Sequence, residues 1–498
     1  MSMLMTSKKK PEFNPAGDIF LPIFELITFI SVNLLEFTFK RIQIGLDKYL
    51  FKREPELKKI ERADLKNNKT TKNNNSFGFS ITQNKDLSSD SIDFMAHSAI
   101  VGASGTGKSA LLDTLIFSDL KEKKTVLFID PKSTRAGLEQ FVNLCKYNGT
   151  KCKLFSLSYQ GDDKLYINPV KEGTVTQITD RIFKAFTWSE EFYALKSYQA
   201  LRIAISELKD EGKVITLNRI EDRIKFIAVS KEEKHRRVKE KEIDGIITKL
   251  ENINQSDFGE LINNPEGYSF SELRQKNINS YIGISILGYP EIARAIGKLF
   301  LGDIATKVDE IYQKYGIEDL SNLKPISLKI DELGAIILDE FVEILNKCRG
   351  AGLEITMAMQ TPNDIDKVDV NLTQQVFGNT CNWFIMRQRM KDSASMLSES
   401  IGTMETKKQT MRIEEGEEQQ QGSQRKVEEL IVHTNIIKGL RRGQCILMRQ
   451  DPFKVDLVNV KYINPVDVLS NLRLMKIGTK DNRTIDKQQI NLNPWEKE

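Results

Sequence analysis

From residue 98 the chain alternates short apolar runs with longer helical stretches: SAIVG (98–102), a helix from Lys108, TVLFID (125–130), a second helix, then KLFSL (153–157). Such alternation predicts βαβ units, and hence a parallel sheet with helices on both faces. The strand signal stops near Thr176. Residues 176–275 read instead as helices rich in Lys, Arg and Glu, such as ITDRIFKAF and YQALRIAISELKDEGK. Strand patterns resume at YIGISILG (281–288), ISLKID (326–331), LEITMAMQ (353–360) and CNWFIMR (381–387), and close with QCILM (444–448) and KVDLVNV (454–460). The pattern predicts one α/β core interrupted by an all-α insertion. Residues 54–90, including KNNKTTKNNNS, read as a polar linker. Residues 405–426 lack an apolar period and read as a mobile surface loop.

Residues 19–39 form a mostly apolar run of about the length that spans a bilayer. Glu25, Asn33 and Glu36 fall in one narrow arc of a helix there. That stripe fits a spanning helix with a buried partner, an interfacial helix lying on the membrane, or a soluble helix packed on the body. Lys40, Arg41, Lys48, Lys52 and Arg53 follow, which suits a cytoplasmic side, although Lys8, Lys9 and Lys10 precede it. No small-residue cleavage site follows the run, so it does not read as a signal peptide.

Composition changes this picture little. With 29% charged and 40% hydrophobic residues, the chain of 498 is that of an ordinary α/β protein. A net charge of +4 is too small to argue nucleic-acid binding by itself. The cysteines (Cys145, Cys152, Cys348, Cys381, Cys445) form no CxxC pair and the histidines (His97, His235, His433) lie far apart. Neither a disulfide framework nor a zinc site is supported, and a reducing, cytosolic setting fits the bulk of the chain.

The chemistry is carried by Gly102-Ala103-Ser104-Gly105-Thr106-Gly107-Lys108-Ser109, a complete GxxxxGK[ST] pattern between an apolar strand and the helix ALLDTLIF. Glycines let successive amides curl around phosphates, and the helix N-terminus adds partial positive charge. Lys108 would reach the β- and γ-phosphates of ATP, and Ser109 would place its hydroxyl on Mg²⁺. A second apolar strand, running from Ile326, ends in two carboxylates, Asp331 and Glu332. Asp331 would hold the magnesium through its water shell, and Glu332 would act as general base on the attacking water. Gln360 ends the next strand, where it would sense the γ-phosphate or simply be solvated. A further positive charge, often supplied by a neighbouring subunit, would come from Arg349 or Arg387. Asp130-Pro131-Lys132 closes another strand toward the same edge, or is simply a turn.

The string 97–109 resembles the P-loop of type IV coupling proteins, the TraD/TraG-like ATPases of bacterial conjugation. The resemblance continues through VLFIDPK (126–132), INPV (167–170), EIARAIGKLFLGDI with Ala293, Gly297 and Asp303, and IDELG (330–334). It also covers CRGAGLEITMAMQ (348–360), GNTCNWFIMRQRMKDSASML (378–397) and EELIVHTNIIKGLRRGQCILM (428–448). These blocks keep the family's order over about 97–460.

The resemblance implies a RecA-like P-loop ATPase core with an inserted all-α domain and an N-terminal hydrophobic helix. It further implies a homo-hexamer at the cytoplasmic face of the bacterial inner membrane, driving DNA or nucleoprotein into a secretion channel. Lys108, Ser109, Asp331, Glu332 and Gln360 keep their expected roles, and the insertion would contact relaxosome or substrate proteins. Two departures stand out: one imperfect hydrophobic segment instead of two membrane helices, and no long acidic tail. The expected layout is a membrane-associated segment (1–53), a linker (54–90), a nucleotide-binding domain in two parts (91–175 and 276–465) around the all-α insertion (176–275), and a polar tail (466–498). The expected function is a DNA pump contacting phosphates without reading sequence. The alternative is a secretion ATPase or receptor that recruits protein effectors.

Overall fold

The computed structural model describes residues 57–463, apart from 74, 90–91, 236–238, 317–319, 321–322, 338–340, 367–370 and 415–416. The apolar run at 19–39 and the tail at 466–498 lie outside the described residues. Among those described, no helix is long and apolar enough to cross a membrane.

A single large sheet organises the body, in the order β2-β1-β13-β12-β9-β3-β8-β7-β4-β6-β5. Its parallel block comprises β3 (Ser98–Val101), β4 (Thr125–Asp130), β5 (Cys152–Phe155), β6 (Asn279–Gly283), β7 (Ile326–Ile330), β8 (Leu353–Met359) and β9 (Asn382–Met386). Strands β3, β4, β7, β8 and β9 are buried along their whole length. That is why they read as continuous apolar runs rather than alternating ones. YIGISILG reads as one strand, yet pairing stops at Gly283. Beyond it, the amides of Ile284 and Ile286 donate to the carbonyls of Asp130 and Pro131 at 3.1 and 2.9 Å. Helix α1 (Lys108–Lys121) buries Leu111, Leu112, Leu115 and Ile116 against this block, and α2 (Arg135–Tyr147) adds Phe141 and Leu144 to the same core.

Beyond β9 the sheet turns antiparallel through β12 (Gln444–Gln450) and β13 (Phe453–Val460). Two further strands correct the expected linker at 54–90: β1 (Ser76–Ser80) pairs with β13, and β2 (Lys85–Ser88) pairs with β1. Phe77 and Phe79 are buried there. A Cβ on Gly78 would meet Val458 Cγ1 at 2.8 Å, so only glycine lets the strands close up at that point. The surrounding Asn and Lys residues hid a five-residue strand.

The expected mobile loop at 405–426 is also corrected. It lies within a two-stranded antiparallel hairpin, β10 (Thr403–Glu414) and β11 (Glu417–Leu430), that forms a sheet of its own. Cross-strand charge pairs stand in for an apolar face near its base, with Lys426 Nζ 3.0 Å from Glu405 and Lys408 Nζ 2.6 Å from Glu429. Charged and polar residues succeed one another along both strands without hydrophobic alternation, which is why the sequence carries no strand signal.

The segment between β5 and β6 is helical: α3 (Val175–Ala185), α4 (Glu191–Asp210), α5 (Leu217–Val229) and α6 (Glu240–Asn254), followed by short helices. Capping residues Thr174 and Thr216 start α3 and α5 by accepting from the amides of Gln177 and Arg219. The stems meet where Ile167 bridges Tyr268. Arg181 on α3 is buried against Asp303 of α7 (Pro290–Lys314), at 3.0 Å. Its guanidinium also donates to the carbonyl of Pro169 and, at 2.7 Å, to Thr306 Oγ1.

Candidate functional site

The carboxyl ends of the parallel strands form one edge, where open α/β sheets bind ligands. Val101 leads there into the glycine-rich turn. Gly105 and Gly107 adopt φ of +78° and +111°, a region that side chains avoid. A Cβ on Gly102 would stand 2.7 Å from both Met386 Cβ and Thr106 Oγ1. Thr106 Oγ1 donates to the Ala103 carbonyl at 2.8 Å, and the Ala103 amide donates to the Arg387 carbonyl at 3.0 Å, so the turn is braced from within and from β9. Lys108 opens α1, and its ammonium donates to the carbonyls of Gly102 and Ala103 at 2.6 and 3.3 Å. Burial lowers its pKa, while Glu332 and Asp331 pull in the opposite direction. Ser109 lies exposed on the first turn of the helix.

Two strands away, β7 delivers Asp331 and Glu332 to the same edge. Asp331 is buried and its Oδ1 has no hydrogen-bond partner among the described residues. Glu332 is in the left-handed region (φ +59°, ψ +60°), which is uncommon for a residue with a Cβ. Its Oε1 accepts from Gln360 Nε2 at 2.9 Å, while Oε2 has no hydrogen-bond partner among the described residues. Gln360 is itself held, its amide donating to Asp364 Oδ2 at 3.0 Å and its carbonyl accepting from Gln388 Nε2 at 3.2 Å. Lys132, after β4, lies 3.0 Å from Asp331 Oδ2 and 3.6 Å from Glu332 Oε2. Asp130 accepts from the Tyr281 hydroxyl at 2.6 Å and from the Lys132 amide at 2.9 Å. Burial, reinforced by the charges of Asp331 and Asp130, pushes the Asp113 carboxyl on α1 up to about 7.

The structure thus brings Lys108, Ser109, Asp331, Glu332 and Gln360 to one edge. Arg387 lies there too, its backbone on the P-loop and its Nε buried without a hydrogen-bond partner among the described residues. Arg349 does not. It precedes β8, roughly 20 Å from Gln360 along the strand, and pairs at the surface with Asp93 at 3.1 Å. Sequence reasoning did not assign Lys132 an ionic role and overlooked Gln388 and Asp364. Only Asp364 had a readable signal, the Thr361-x-x-Asp364 capping pattern.

The donor set fits a magnesium nucleotide. A buried carboxylate oxygen without a hydrogen bond faces the same edge as a glycine turn that admits no Cβ, and a lysine and a hydroxyl open the adjoining helix. Fold and site together define a P-loop nucleotide-binding fold with the residues of an ATPase. Residues 325–442 match the family described as the TraM recognition site of TraD and TraG, and residues 56–141 match the FtsK/SpoIIIE family. No curated protein matches the chain in sequence. Among solved structures, the unbound bacterial conjugative coupling protein TrwBdeltaN70 superposes with a TM-score of 0.59 at 14% identity, over 82% of this chain and 93% of that one. TrwB in complex with ADP and Mg²⁺ gives 0.57 at 15%, over 82% and 94%. VirB4 of Thermoanaerobacter pseudethanolicus gives 0.51 at 12%, over 79% and 97%.

Proposed function

We propose that this chain is an ATP-driven coupling protein that recruits DNA, or a nucleoprotein, and moves it into a conjugative type IV secretion channel. The observation that carries the reading is the convergence of Lys108, Asp331, Glu332 and Gln360 at the carboxyl edge of a sheet with coupling-protein topology. Lys108 and the amides of 103–109 would grip the phosphates of ATP, with Ser109 and Asp331 on the magnesium side. Bound Mg²⁺ would supply charge neutralisation at the phosphates. Glu332, aimed by Gln360, would accept the proton of the attacking water. Arg387, or Arg349 reaching from a neighbouring copy, would offset the charge that develops on the phosphate.

Relaxosome and secretion-channel proteins are the partners that the TraM-recognition match over 325–442 supports; the helical insertion, outside that match, would be a further recruiting surface. A homo-hexamer at the cytoplasmic face of the inner membrane completes the proposal, and DNA would be held through its phosphates. The test is ATP turnover by the purified chain with and without double-stranded DNA. Stimulation that fades as salt rises is expected. Turnover indifferent to DNA at every ionic strength overturns the DNA-pump reading.

A further inference from the structure

Lys132 is a cationic side chain at the nucleotide edge to which the reaction outlined above gives no task. Its position is built rather than incidental. The Tyr281 hydroxyl fixes Asp130, Asp130 Oδ1 accepts from the Lys132 amide, and the Pro131 carbonyl accepts from Ile286. From that fixed backbone the side chain reaches across to β7 and lies against two carboxylates at once. The Lys132 side chain is 47% exposed but that of Asp331 only 5%, so the carboxylate depends on the ammonium far more than the ammonium depends on it. Burial opposes the lysine's charge, and Asp331 and Glu332 outweigh it, raising the lysine pKa.

We propose that Lys132 is a positioning residue that serves as counter-ion to the Asp331–Glu332 pair and competes with the divalent cation for Asp331. The inference rests on the reading of Asp331 as the magnesium-side carboxylate. A metal and an ammonium both drawn to one carboxylate repel each other, so binding of the metal nucleotide requires Lys132 to release Asp331. Its second partner, Glu332, then remains within reach. Until then the lysine keeps a buried aspartate from standing uncompensated, which would be costly.

The experiment titrates Mg²⁺ into the full chain with a fluorescent ADP analogue, comparing wild type, K132M and K132R. In parallel, melting of the nucleotide-free proteins is followed for K132M, D331N and the double variant. In K132M the half-saturating Mg²⁺ falls about fivefold, as loss of a partly exposed ionic competitor predicts, while K132R stays close to wild type. K132M melts earlier than wild type, but adds no further loss on the D331N background. A lysine with a merely structural role would not lower the Mg²⁺ requirement. An unchanged or raised requirement in K132M overturns the proposal, as does an equal melting loss on both backgrounds. If K132M does not fold, K132Q repeats both arms. A wild type that shows no Mg²⁺-dependent ADP signal would defeat the nucleotide reading, while the melting cycle still decides the role of Lys132.

Discussion

Gln360 Nε2 donates to Glu332 Oε1 at 2.9 Å, joining the tips of two neighbouring parallel strands across the nucleotide edge. One oxygen of the glutamate is thereby held, and the other, 3.6 Å from Lys132 Nζ, makes no hydrogen bond among the described residues. Replacing Glu332 with Gln should leave nucleotide binding intact and lower turnover by about 10²-fold or more, the contribution usual for a positioned base. Q360A should lower kcat by roughly tenfold with little change in KM, because it frees the base without removing it. Steady-state kinetics and nucleotide-binding titrations check both. Unchanged kcat in E332Q removes Glu332 from the reaction.

Buried His97 makes the core sensitive to acid. Its Nε2 bonds the Leu345 carbonyl at 2.9 Å and its Nδ1 accepts from the Ile355 amide at 3.1 Å, so the ring is held neutral. Burial lowers its pKa to about 4. The unfolded chain therefore takes up the proton first, and this group loses stability as pH falls from about 6.5 toward 4, by up to about 3 kcal/mol. Asp303 and Asp113, whose burial raises their pKa to about 6 and about 7, act in the opposite direction over the same range. The clean readout is consequently the melting difference between wild type and H97Q, which should shrink or reverse between pH 7 and pH 4.5.

Arg181 and Asp303 form a buried ion pair that is further hydrogen-bonded to Pro169, Thr306 and the Phe270 amide, although Arg181 Nε has no partner among the described residues. R181A leaves a buried carboxylate uncompensated and should cost about 3–5 kcal/mol. R181M combined with D303L should recover much of that loss. Urea denaturation of the two variants measures the difference, and a fully additive result would contradict the pairing.

The β10–β11 hairpin pairs with itself and, among the described residues, forms no ladder with the main sheet. Joining 404 to 429 through a two-residue turn should leave the melting temperature of the body within about 2 °C and basal ATP turnover unchanged. A large fall in melting temperature would show that the hairpin supports the fold.

The parts of this molecule that were legible in sequence are those whose chemistry is contiguous. A phosphate cradle needs glycines at fixed spacing, and a carboxylate pair must end a buried strand, so 102–109 and 331–332 could be read directly. Partnerships across the sheet left no such trace. Lys132 meets Asp331 across 199 positions and Tyr281 meets Asp130 across 151, and no local pattern records either. Strand β1 was lost because polar residues flank its two phenylalanines, and the hairpin because charge pairs replace an apolar side.

At the far side of the sheet, the stems of the helical insertion run beside each other, the Asn168 amide donating to the Tyr268 carbonyl at 2.9 Å and the Tyr268 amide to the Tyr166 carbonyl at 2.8 Å. Some hundred residues thus depart and return through a doorway only about 5 Å wide. Such a cassette can be exchanged between chains without resetting the register of any strand around the P-loop. On the proposed reading, a recruiting insertion and the ATP site are therefore free to diversify at different rates.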